Sequence, residues 1–87
     1  MTIRLLLVDD HAVVRSGLKM LLENERDVEI VGEASSAAEA MEAAARLKPN
    51  VILMDIGLPD LSGIDATREI KNRVSNVSIV ALTIHED

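Results

Sequence analysis

Two apolar runs in this chain each stop at a carboxylate. Ile3 to Val8 is nearly all apolar and ends at Asp9-Asp10. Val51-Ile52-Leu53-Met54 ends at Asp55, and Gly57-Leu58-Pro59-Asp60 follows. Short apolar runs bounded by turn signals suit strands buried on both faces. Residues 28–31 and 79–82 supply two more such runs, ending at Gly32 and Thr83. Between them the period lengthens. Val14, Leu18, Leu21 and Leu22 recur at i, i+4, i+7 and i+8, one apolar helix face, with Arg15, Lys19, Glu23 and Asn24 off it. That helix should fade near Glu25-Arg26-Asp27. Ser36-Ala37-Ala38-Glu39 has the capping-box pattern and opens an Ala-rich helix through Leu47, stopped by Pro49 with Asn50 as turn residue. Ser62-Gly63-Ile64-Asp65 opens a weaker helix, with Ile64, Thr67, Ile70 and Val74, to about Arg73. Ser75-Asn76 makes a turn before the last strand.

The order is βαβαβαβ, which predicts a parallel α/β sheet with helices on both faces. If the two acid-tipped strands are neighbours, Asp9, Asp10 and Asp55 meet at one sheet edge. Ligand crevices in open α/β sheets lie outside the carboxyl ends of the strands. Acids crowded there repel each other unless a cation sits among them. A hard-metal site beside a reactive carboxylate is therefore expected. Asp9-Asp10 alone reads equally as a helix N-cap with a dipole-favoured neighbour. Asp55 in register tips the balance, because Gly57-Leu58-Pro59 already supplies the turn.

Composition narrows the function. Eighty-seven residues make one small domain. There is no Phe, Tyr or Trp, so the core must come from Val, Ile, Leu, Met and Ala, and a stacking platform for single-stranded nucleic acid is lacking. The net charge of −6 argues against a nucleic-acid surface. Absence of cysteine excludes disulfides, thiolate metal sites and a thiol nucleophile. Arg4 is followed by only four apolar residues before Asp9, too few for a signal peptide. No run approaches membrane-spanning length, so a cytoplasmic protein without membrane contact is expected. No glycine fingerprint for a dinucleotide and no P-loop is present.

Asp9-Asp10-His11 after the first strand, Met54-Asp55-Ile56-x-Leu58-Pro59-x-x-x-Gly63 after the third, and Ala81-Leu82-Thr83 ending the fourth resemble the receiver domain of two-component response regulators. Val14-Arg15-x-Gly17-Leu18 and Val31-Gly32-Glu33-Ala34 resemble the NarL/FixJ-type subfamily. The resemblance covers the whole chain. It implies a flavodoxin-like fold with strand order 2-1-3-4-5 and a signalling domain rather than a turnover enzyme, serving transcription regulation. Asp55 would be the phosphoacceptor for a sensor histidine kinase. Asp10 and Asp55 would ligate Mg2+ with the backbone carbonyl of Gly57, and Asp9 would complete the acidic pocket through water. Thr83 would be the switch hydroxyl.

Family members also carry a lysine and an aromatic switch residue on a fifth strand. Neither occurs in these 87 residues, and Lys48 and Lys71 do not match that position. On this reading residues 1–87 are the first two-thirds of a receiver, lacking the fifth strand, the last two helices and an output domain. Self-association through the fourth strand or the first helix is then expected. The competing function is a dimerisation or interaction module without productive phosphorylation. A haloacid-dehalogenase-type phosphatase fits poorly, since its aspartates stand one residue apart and Asp9-Asp10 are adjacent.

Other residues have plainer readings. His11 and His85 are expected as solvated loop histidines, and Arg15 on the exposed side of its helix. Met20, Met41 and Met54 are expected as core filler. Gly57 should let its loop bend near the ion, and Pro59 should stiffen it. Gly17, costly in mid-helix, hints at close packing.

Overall fold

A computed structural model of the chain describes residues 2–82. Its elements are β1 (Ile3–Val8), α1 (Ala12–Glu23), β2 (Val28–Ala34), α2 (Ala37–Leu47), β3 (Val51–Asp55), α3 (Gly63–Arg73) and β4 (Ser78–Leu82). All pairings are parallel, in the order β2-β1-β3-β4. The expected order is therefore present through the fourth strand. Right-handed crossovers in this order put α1 on one face of the sheet and α2 and α3 on the other.

The helix starts follow the capping chemistry. Ser36 accepts the Glu39 N–H at 3.2 Å and Ser62 accepts the Asp65 N–H at 3.2 Å. α2 ends on Lys48 in the left-handed region, φ 49°, just before Pro49. β2 runs three residues beyond its expected end at Val31. The register jumps between Leu5↔Ile30 and Leu6↔Gly32, leaving Val31 as an extra residue. That bulge lets β2 continue past Gly32 to pair Val8 with Ala34.

The core lies on the α2/α3 face. Leu6, Val8, Ile52 and Met54 point there and are essentially buried. They meet Ala37, Ala40, Ala43 and Ala44 of α2 and Ala66 and Ile70 of α3. A stripe of alanines lets α2 sit low on the sheet. A Cβ at Gly32 would come 2.6 Å from the Leu47 Cδ1, so glycine makes room for the end of α2.

The other face is thinly covered, and here several expectations fail. α1 packs on β2 but has no buried residue. Val14, Leu18 and Leu22 are half-buried, whereas Leu21 is 71% exposed and Met20 69%. Neither is core. Periodicity identifies an apolar stripe, but a helix seated over an outer strand buries only the part of it facing that strand. Gly17 marks no close approach, because an added Cβ would meet nothing within 4 Å. Met41 and Met54 pack as expected.

Candidate functional site

The site follows from one register. Val8 of β1 pairs with Met54 of β3, and the next residue on each strand is an acid, Asp9 and Asp55. Both strands run the same way, so both acids emerge at the same edge. Asp9 is 1% exposed and Asp55 6%, while Asp10, one residue further, is solvent-exposed. Asp9, Asp10, His11 and Asp55 each bring one potential ligand atom into a group spanning no more than 4.8 Å.

The carboxylate oxygens have distinct surroundings. Asp55 Oδ1 accepts the Gly57 N–H at 3.0 Å. Asp55 Oδ2 faces the cluster, 3.8 Å from His11 Nδ1. Asp9 Oδ1 accepts the His11 backbone N–H at 2.7 Å. Asp9 Oδ2 is buried with no hydrogen-bond partner among the described residues. A buried carboxylate oxygen without a donor is costly, and a small hard cation among oxygen ligands would satisfy it. The donor set of carboxylates suits a Mg2+-like ion.

His11 is not simply solvated, contrary to expectation. Its ring is half-exposed, yet Nδ1 lies 3.0 Å from Asp9 Oδ1 and 3.0 Å from Asp10 Oδ1. The hydrogen bond to Asp9, reinforced by the charge of Asp10, raises its pKa above the ordinary imidazole value. Arg15 is also corrected. It is half-buried, its Nη1 donates to the Asp9 carbonyl, and its Nε donates to Glu33 Oε1 at 3.3 Å. Lys19 Nζ reaches Glu33 Oε2 at 3.0 Å. α1 thus grips the backbone of Asp9 and the end of β2. Four residues separate Arg15 from His11, so one helical turn carries it back over the loop; that spacing was the available signal.

Gly57, expected to let its loop bend, adopts no glycine-only conformation. No described glycine has positive φ, and a Cβ at Gly57 would stand 3.7 Å from Asp55 Oδ1, an ordinary contact. Thr83 and His85 lie outside the described residues.

One residue of the β3–α3 loop has a role that its sequence position does not suggest. Asp60 accepts the Ala37 N–H at 2.8 Å through Oδ1 and the Ala38 N–H at 3.0 Å through Oδ2. These backbone donors hold its pKa below the ordinary carboxylate range. No local pattern announces a pairing across 23 residues. Among the described residues, two concavities lie away from the acidic cluster, one beside Lys19 and Glu33 and one beside Lys48 and Arg73.

A parallel sheet in this order, with acids ending its adjacent central strands, is the flavodoxin-like architecture of receiver domains. The chain belongs to the response regulator receiver domain family, whose model matches residues 5–87. Over 83 residues it is 42% identical to the response regulator protein VraR of Staphylococcus saprophyticus, covering 95% of this chain and 40% of that protein. A crystal structure of a LuxR-family two-component response regulator from Aurantimonas sp. SI85-9A1 superposes with a TM-score of 0.91 at 37% identity, covering 99% of this chain and 61% of that one. The isolated receiver of RcsB from Salmonella enterica serovar Typhimurium, solved in the presence of phosphomimetic BeF3-, gives 0.90 at 26% identity, over 100% of this chain and 65% of that one. The chain therefore spans about 40% of the length of the VraR relative it matches.

Proposed function

We propose that this chain is the phosphoacceptor part of a two-component response regulator, taking a phosphoryl group from a sensor histidine kinase onto Asp55. The adjacency of Asp9 and Asp55, one residue past the Val8↔Met54 pair, carries the reading. In the transfer the P–N bond of a phosphohistidine breaks and a P–O bond to an Asp55 carboxylate oxygen forms. Asp55 must be ionised to attack. Its Oδ2 is the oxygen that the Gly57 N–H does not hold and that lies toward His11, so it is the oxygen proposed to meet the donor in line.

Asp10 and Asp55, with the Gly57 carbonyl, would hold Mg2+, and Asp9 would reach it through water. When bound, the ion neutralises charge on the phosphoryl oxygens. The unpartnered Asp9 Oδ2 supports its presence. Arg15 orients Asp9 by gripping its carbonyl. Thr83 is proposed as the switch hydroxyl. RcsB, whose receiver superposes on this chain, has been solved in complex with DNA; a regulator carrying this receiver is proposed to bind DNA, and this segment not to. No helix is long and apolar enough to cross a membrane among the described residues, in keeping with a cytoplasmic partner of the kinase.

The test is intact mass after incubation with Mg2+ and a small-molecule phosphodonor. Gain of one phosphoryl group, lost in Asp55→Asn and on chelation of the metal, is expected. No gain in a sample that circular dichroism shows to be folded would refute the reading.

A second reading rests on a different observation. On the thinly covered face Val13, Met20 and Leu21 of α1 are exposed, and among the described residues β4 pairs on one side only. Exposed apolar helix residues and open strand edges promote association. Self-association through α1 or β4 is proposed, independent of phosphorylation and so retained in Asp55→Asn.

A further inference from the structure

The β3–α3 loop is fastened at its far end to a helix that takes no direct part in the site. α2 has three free N–H groups in its first turn. Ser36, its own cap, takes that of Glu39. Asp60 takes the other two, Ala37 and Ala38, one with each carboxylate oxygen, from 23 and 22 residues away. The helix end thus has its orphan donors satisfied, and the carboxylate sits where the helix dipole favours a negative charge.

The same contact acts on the loop. Between Asp55 and Asp60 the chain is fixed three times. Asp55 Oδ1 holds the Gly57 N–H, Leu58 is buried in the core, and Asp60 is clamped to α2. The Gly57 carbonyl lies between the first and second of these points, in the peptide that leads to Leu58. Its carbonyl has a defined direction only if the segment beyond it cannot swing.

Building on the proposed role of Asp55 and Gly57, we propose that Asp60 is a positioning residue for the metal site. By tying the β3–α3 loop to the N-terminus of α2, it holds the Gly57 backbone where the cation is bound. It touches neither the ion nor the phosphoryl group. Groups that orient metal ligands from outside are worth about tenfold or more in affinity.

The experiment is a calorimetric Mg2+ titration of the full chain as wild type, Asp60→Ala, Asp60→Asn and Ser36→Ala. Ser36→Ala weakens the same helix end without touching the loop, so it reports what helix stability alone contributes. Asp60→Ala is expected to bind Mg2+ about tenfold more weakly than wild type. Asp60→Asn keeps one acceptor oxygen and should lose less. Ser36→Ala should bind like wild type although its melting temperature falls. Wild-type affinity in both Asp60 variants, or an equal loss in Ser36→Ala, would overturn the proposal while leaving the phosphoacceptor reading intact. If Asp60→Ala does not fold, Asp60→Asn against Ser36→Ala decides by the same signs. A wild-type chain that is folded and binds no Mg2+ would bring down both this inference and the metal assignment beneath it.

Discussion

Asp9 carries two opposing demands. It is buried beside Asp55 with one oxygen unpartnered, which disfavours the folded chain, and it belongs to the group proposed to attract a cation. Neutralising it separates the two. Asp9→Asn should raise the melting temperature in the absence of metal, by about 4–8 °C if the relief is near 1 kcal/mol in a domain of this size. It should also weaken Mg2+ binding. A thermal scan with and without Mg2+ reads both. Asp60 makes the converse statement about pH. Its folded-state pKa is depressed by the Ala37 and Ala38 N–H groups. Its contribution is therefore fully present above the ordinary carboxylate pKa of about 4 and is lost as pH falls through the depressed folded value. Glu39 is depressed in the same direction by Ser35. Acid titration of stability should show a smaller loss below about pH 4 in Asp60→Asn than in wild type. Equal slopes would mean that the Asp60 bonds do not persist in solution.

At the scale of elements, β3 serves both the core and the site. Ile52 and Met54 point into the α2/α3 core while Asp55 ends the same strand at the site. Ile52→Ala should cost about 2–5 kcal/mol, since a fully buried position in a packed core leaves a cavity. Denaturant unfolding would measure it, and a loss under about 1 kcal/mol would mean that the core is looser than described. The strands and both capped helices were legible in the sequence because local chemistry decides them. Short apolar runs, the Ser36 and Ser62 caps, and Pro49 act within a few residues. The end of β2 was not legible, because the Val31 bulge exists only against β1. The burial of α1 was not legible either, because an apolar stripe does not say what covers it. The acids of the site could be read as strand-end residues. His11, Arg15 and Asp60 could not be placed, since their partners come from other elements or depend on how the loop folds back.

For the whole molecule the asymmetry of the two faces matters most. One face holds α2, α3 and the core cluster. The other holds α1 with Val13, Met20 and Leu21 exposed, the first of them 85%. A 9.4 kDa chain buries a small share of its surface, so an open apolar face weighs heavily on its solution behaviour. Light scattering on the chain should show concentration-dependent association, reduced by Met20→Lys with Leu21→Lys. A monodisperse monomer would contradict that expectation. The acidic edge is a separate question, because the β1–β3 register brings Asp9 and Asp55 together. The most direct test of the central claim locates the phosphoryl group. After Mg2+ and a phosphodonor, hydride reduction converts an acyl phosphate to homoserine, which peptide mass spectrometry assigns to one position. The proposed assignment predicts conversion at Asp55 and none at Asp9 or Asp10. Conversion at either of those, or none in a folded sample whose intact mass shows the added phosphoryl group, would contradict the assignment of Asp55 as the acceptor.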